Sequence, residues 1–257
     1  MRIYPVDESE IFLTPLQAAG ILNISLCTLK KFIYTGKLKT LKTPGGHHRI
    51  LRKDLFLLSN SVSDPSHGSA EKQPAFSIAS ALINALEAKR VFCRGHSSLA
   101  AEISRKVGEK LKLEPVVTER LYLAALLHNI GLLSVRENIL NKQFPLSEDE
   151  YSELKIHPER GERMASSIEP IKDISGIIRQ HHERFDGKGY PDGLKAKAIS
   201  IEAGIISVAD AFITMTAPDS YKPKSISKKE AIEEVLINSG TQFDPEIAAA
   251  FTEAMNE

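Results

Sequence analysis

The chain is poor in cysteine. Its two cysteines, Cys27 and Cys93, are too few for a disulfide scaffold and are expected to pack as small apolar side chains in a reducing cytoplasm. No apolar run reaches the roughly 18 residues of a membrane span, so no membrane partner is expected. The first residues, MRIYPVDESE, are acidic and lack the apolar core of a signal peptide. Acidic residues are absent from Ile11 to Lys53, a stretch that holds eight basic ones. Net charge is also absent from the chain as a whole, with +5 on residues 1–60 balanced by −5 on the rest. That asymmetry points to a small module facing a polyanion, joined to a domain that does not. Convincing strand patterns are missing after residue 60, which predicts helices alone there.

Within the basic stretch, Thr14 offers a helix N-cap and Pro15 suits the first helical position. Asn23-Ile24-Ser25 makes a turn, and Ser25 caps a second helix from Leu26 to Tyr34, closed by Gly36. Leu38–Thr43 and His48–Leu51 read as short strands around Thr43-Pro44-Gly45-Gly46, with a short helix over Asp54–Leu58. The motifs TPLQAAGILNIS, TLKKFIYTGKLK and TPGGHHRI resemble the winged helix-turn-helix of the MerR and excisionase type. The resemblance implies a domain over residues 1–59 that binds double-stranded DNA, commonly as a homodimer. Thr28, Lys30 and Lys31 would face the major groove, and Lys42, His47, His48 and Arg49 would form a basic wing. Residues 60–76, rich in Ser, Pro and charge, read as a linker, with His67 solvated inside it.

Histidine is where the rest of the chain concentrates its chemistry. Of eight histidines, five lie between His96 and His182, each at the edge of an expected helix. The stretch from His181 to Gly193 reads HHERFDGKGYPDG. Neighbouring side chains on a helix point about 100° apart, so His181 and His182 cannot both face one narrow core stripe. Such a pair suits a site that surrounds metal ions or phosphate. The plainer alternative is a helix C-terminus whose dipole favours two imidazoles before a glycine loop. Several imidazoles, together with Asp210 on a separate apolar helix, suit divalent Fe, Mn or Zn.

The segments LAALLHNIGLL, HPERG, HHERFDGKGYPDGL and ISVADAF, in this order, resemble the HD-GYP family of metal-dependent phosphohydrolases over residues 77–257. The resemblance implies an all-α bundle that hydrolyses cyclic di-GMP and related cyclic dinucleotides. His96, His128, His157, His181, His182 and Asp210 would hold one or two divalent Fe or Mn ions. Gly189, Tyr190 and Pro191 would shape the entrance or dock a signalling partner, and Lys188 would approach phosphate. Four positions depart from the family pattern. Asn129 replaces the Asp that pairs with His128 and would bridge two ions. Leu132, Phe92 and Asp219 stand where Lys, Glu and Arg are usual. Two close cations without an anionic bridge repel more strongly. The expectation is therefore a mainly α protein, a small winged helix-turn-helix with a β-hairpin wing followed by the helical bundle. It would be a cytoplasmic DNA-binding regulator whose impaired HD-GYP domain senses a cyclic dinucleotide or serves dimerisation and docking. The alternative is an active metal-dependent cyclic di-GMP phosphodiesterase tethered to DNA.

Overall fold

The computed structural model describes residues 12–22, 29, 32–33, 37–43, 48–51, 54, 73–89, 95–142, 145–217 and 225–256. The chain divides into two compact units, residues 1–77 and 78–257.

In the first unit, β1 (Phe12–Leu13) leads directly into α1 (Pro15–Leu22), and β2 (Leu41–Lys42) and β3 (His48–Leu51) follow. Thr14 caps α1 in exchange with Gln17: the Gln17 N–H donates to Thr14 Oγ1 at 3.3 Å, and the Thr14 N–H donates to Gln17 Oε1 at 3.0 Å. The three strands order as β1-β3-β2, both pairings antiparallel, with Leu13 opposite Ile50 and Lys42 opposite His48. Leu13, Ala18, Ala19, Leu29, Leu38 and Ile50 form the small core. The hairpin strands are present, though the first is shorter than its sequence pattern suggested, and β1 adds an edge strand that the sequence did not announce. Thr28, Lys30, Lys31 and His47 lie outside the described residues, as do Cys27, His67, Phe92, Cys93, Asp219, most of the expected second helix and the turn at Pro44–Gly46. Lys42 is exposed, but the other two wing residues turn to the hairpin itself. His48 Nδ1 meets Thr40 Oγ1 at 2.7 Å, and Arg49 donates to the His48 carbonyl at 3.1 Å.

The regular structure described in the second unit is helical, apart from an isolated bridge between Ser239 and Phe243. Helix α2 (Gln73–Lys89) begins inside the stretch read from sequence as linker. Then come α3 (His96–Lys110), α4 (Pro115–Leu127), α5 (Glu137–Leu140), α6 (Glu148–Lys155), α7 (His157–Ser166), α8 (Ser175–Gln180), α9 (Ile201–Thr216), α10 (Lys228–Ile237) and α11 (Pro245–Asn256). Short 3₁₀ helices at Ile130–Ser134, Glu169–Ile174 and Ala196–Ala198 take the corners. Ser147 and Ser227 form capping boxes with Glu150 and Glu230, as their sequence spacing requires.

The apolar helix α9 is central. It packs on α3, α4, α8, α10 and α11, burying Ile205, Ile206, Val208, Ala209, Phe212 and Ile213. The stretch Pro115–Ser134 has the length and composition of a membrane span, but 56% of its most apolar window is buried within the protein, so core packing accounts for its apolarity. A half-exposed Arg120 on α4 pairs with buried Glu202 on α9, Nε to Oε1 at 3.0 Å.

Candidate metal centre

Helix ends deliver the histidines. His96 and His157 open α3 and α7, His128 and His181 cap the C-termini of α4 and α8, and His182 follows. Asp210 comes from within α9. All six sequence-assigned ligands converge, as two triads: His157, His181 and His182, and beside them His96, His128 and Asp210. Within each triad the donor atoms lie within 4.8 Å of one another. The triads share a wall, because the His128 and His181 rings meet edge to face with centroids 5.2 Å apart.

One device orients three of the rings. Nδ1 of His128, His157 and His181 reaches the carbonyl three residues earlier, at Ala125 (2.8 Å), Leu154 (2.8 Å) and Ile178 (2.6 Å). A carbonyl only accepts, so each Nδ1 carries the proton and, in neutral imidazole, each Nε2 is left as an acceptor at the site. Burial pushes the His157 and His181 imidazoles well below the usual range and takes His182 down to about 4, which keeps all three neutral. Asp210 Oδ1 lies 2.9 Å from His96 Nε2 and 3.5 Å from His128 Nε2, so the carboxylate and both imidazoles converge on one point.

Two observations test whether these residues fit metal ions. Nε2 of His157 and Nε2 of His181 face each other at 3.2 Å, lone pair to lone pair, an arrangement that a shared cation satisfies. His96 Nε2 is buried without a hydrogen-bond partner, although Asp210 Oδ1 lies 2.9 Å away, since the pair does not meet at a hydrogen-bonding angle. Both triads therefore fit cations.

Asn129 stands at the edge of the second triad. Its Nδ2 donates to His128 Nε2 at 2.7 Å, and half a turn of the amide presents Oδ1 there instead. Leu132, a departure expected to harm the site, is a core residue 3% exposed among Leu86, Val135, Ile139 and Leu140. Its change from the family pattern belongs to packing. Lys188 is exposed on its loop, its N–H donating to Asp186 Oδ1 at 3.1 Å.

The Gly189-Tyr190-Pro191 loop forms part of the site. The Tyr190–Pro191 peptide is cis. The Tyr190 ring stacks on His182 with centroids 4.9 Å apart, and burial raises the phenol far above its ordinary range. Sequence reasoning missed what holds this loop. Glu183, 2% exposed, accepts the N–H groups of Asp192 and Gly193 on Oε1 (2.7 and 3.1 Å) and of Leu194 on Oε2 (2.9 Å). A Cβ on Gly189 would come within 2.5 Å of Glu183 Cα, so the loop closes here only with glycine. Gly131 was missed as well: a Cβ there would fall 1.9 Å from the His157 carbonyl, so it sets how closely α7 approaches. A carboxylate directly after two histidines was the available signal for Glu183; Gly131 offered none, because its contact lies across the fold.

The HD domain family profile matches residues 80–247. A cyclic di-GMP phosphodiesterase of Thermotoga maritima is 32% identical over 210 residues, covering 80% of this chain and 56% of that protein. A 3'3'-cGAMP-specific phosphodiesterase of Vibrio cholerae is 34% identical over 172 residues, covering 66% of this chain and 37% of that protein. The chain thus spans between a third and just over half of the length of these relatives. The fold resembles an HDG"Y"P protein from Bdellovibrio bacteriovorus, with TM-score 0.55, 19% identity, and coverage of 82% of this chain and 83% of that one. These findings overturn the expectation of a DNA-binding regulator with an impaired domain. The relatives are named as phosphodiesterases, both donor triads are complete, and nothing in the comparisons supports a MerR-type module or DNA as a partner. The inference failed because it gave core residue Leu132 a catalytic weight and let Asn129 outweigh six converging ligands. The chain belongs to the HD-domain family, and its domain is of the HD-GYP type.

Proposed function

We propose that this chain is a metal-dependent phosphodiesterase acting on a cyclic dinucleotide such as cyclic di-GMP or 3'3'-cGAMP. The observation that carries the proposal is the pair of adjoining triads, with Nε2 of His157 and His181 left as acceptors at the site. The imidazole-rich set with one carboxylate suits Fe or Mn, held by His157, His181 and His182 and by His96, His128 and Asp210. Divalent ions bound there supply Lewis acidity toward a phosphoryl oxygen and lower the pKa of water.

The protein's own part is positioning. Three backbone carbonyls fix the ring tautomers, so donor geometry is set before any ligand arrives. Tyr190 walls the site beside His182, and Lys188 is exposed on the same loop. The reaction adds water across one P–O ester bond of the ring and gives a linear dinucleotide. The test is chromatography of cyclic di-GMP and 3'3'-cGAMP incubated with the Mn- or Fe-loaded protein. Linear product, absent with EDTA and with Asp210→Ala, is expected. Loaded protein that consumes neither substrate overturns the proposal.

A further inference from the structure

Lys155, the last residue of α6, lies between two tyrosines. Its Nζ is 4.9 Å from the centroid of the Tyr190 ring and 5.8 Å from that of Tyr151. Tyr190 also stacks on His182, so a single aromatic ring separates this ammonium from the first triad. The two arginines around the loop are paired, while Lys188 stays exposed. Arg179 clamps Asp192 at 2.7 and 2.8 Å and Glu162 at 2.7 Å, and Arg184 grips Asp186 at 2.8 and 3.0 Å. Lys155 has no ion pair among the described residues, and the residue is half-buried. Tyr151 beside it is 51% exposed. An ammonium without a carboxylate, next to an exposed tyrosine, has the chemistry that receives a phosphate and the base attached to it.

We propose that Lys155 binds the second phosphate of the dinucleotide, the one not being cleaved, and that Tyr151 stacks the adjoining base. This rests on the phosphodiesterase reading and deepens it. A cyclic dinucleotide carries two phosphates; the triads address one, and Lys155 addresses the other. Lys155 then acts as a specificity residue, separating dinucleotides from phosphodiesters that have one phosphate only.

The test compares cyclic di-GMP with bis(p-nitrophenyl) phosphate in the full-length Mn-loaded protein, native and Lys155→Met, a variant that keeps the apolar stem. The expected result is a preference for the dinucleotide, as a ratio of kcat/KM values, that falls about tenfold, mainly through KM, and returns with Lys155→Arg. An equal loss on both substrates would make Lys155 a brace for Tyr190 and overturn the assignment. Calorimetric binding of cyclic di-GMP to the metal-free native and Lys155→Met proteins separates this inference from the one beneath it. Binding that weakens about tenfold in the variant, from a native protein that cleaves neither ester, leaves Lys155 standing while the phosphodiesterase reading fails. Robust cleavage with an unchanged substrate ratio has the opposite meaning. A native protein that binds no dinucleotide overturns the assignment outright.

Discussion

His157 and His181 turn their Nε2 atoms toward each other across 3.2 Å, while the Nδ1 of each is tied to a backbone carbonyl. Neither nitrogen of the facing pair has a proton to share, because each proton is committed on the opposite side of its ring. Both rings are buried, so water does not relieve the facing lone pairs. The fold thus imposes an arrangement that a cation stabilises. A ligand that binds the folded state alone stabilises it by about 2.7 kcal/mol at a hundred times its Kd. Manganese is therefore expected to raise the thermal midpoint by several degrees, with His181→Ala losing most of that rise. Differential scanning fluorimetry with and without manganese measures it, and identical shifts in both proteins would remove the first triad as the binding site.

The burial of the same rings makes stability depend on pH in the metal-free protein. His157 and His181 are held well below their usual range, and His182 at about 4. In the unfolded chain each binds a proton near pH 6.5 or so. Below that pH the unfolded state holds more protons than the folded one, so stability is fully present above about 6.5 and is lost as pH falls toward 4. Each unit of difference corresponds to about 1.4 kcal/mol for one group. In EDTA, the midpoint is expected to fall by roughly 5 °C or more between about pH 7 and pH 5, and His182→Gln should flatten part of that slope. A midpoint constant over this interval would mean that the folded rings protonate as freely as the unfolded ones.

Asn129 lends itself to a charge test. Its amide lies 2.7 Å from His128 Nε2, beside a triad whose only anion is Asp210. Asn129→Asp adds a second negative charge at a position already within reach of the ligands. Metal affinity by calorimetry is expected to rise about tenfold or more. An unchanged affinity would show that this side chain stays out of the coordination.

Legibility in the sequence followed the range of the interaction. The capping boxes at Ser147 and Ser227 and the Thr14 cap were readable, because each rests on contacts three residues apart. The six ligands were readable as a family pattern, although spacing alone could not assign them to two triads, which depends on how α3, α4, α7, α8 and α9 pack. Leu132 was misread for the same reason: its neighbours Leu86 and Leu140 come from other elements, and only the fold makes it a core residue. The helix expected to carry His181 and His182 ends at Gln180, after a 3₁₀ turn, and that early end lets both rings face one site.

Gly131 tests how tightly α7 is set against the His128 corner. A Cβ there would meet the His157 carbonyl at 1.9 Å and the Gly161 nitrogen at 2.6 Å, both backbone atoms without rotamer freedom. Gly131→Ala must therefore displace the helix that begins with a ligand. The expected cost is about 3 kcal/mol or more, with loss of bound metal measured on the folded fraction. Full stability in urea titration would show that the corner relaxes without disturbing α7.

Glu183 separates the loop from the metal. Its buried carboxylate accepts three successive backbone N–H groups, those of Asp192, Gly193 and Leu194, and thereby closes the loop that carries Tyr190. Glu183→Gln keeps the volume but turns one acceptor into a donor that faces an N–H. Hydrogen bonds to a charged group contribute about 1.5–3 kcal/mol each, and this substitution weakens all three. Hydrogen exchange at those three amides is expected to quicken roughly ten- to a hundredfold, while amides of α9 keep their protection, because local opening does not require global unfolding. Substrate KM should rise with the loss of the Tyr190 wall. If the three amides and α9 lose protection together, the carboxylate supports the whole fold, and the loop has no separate latch.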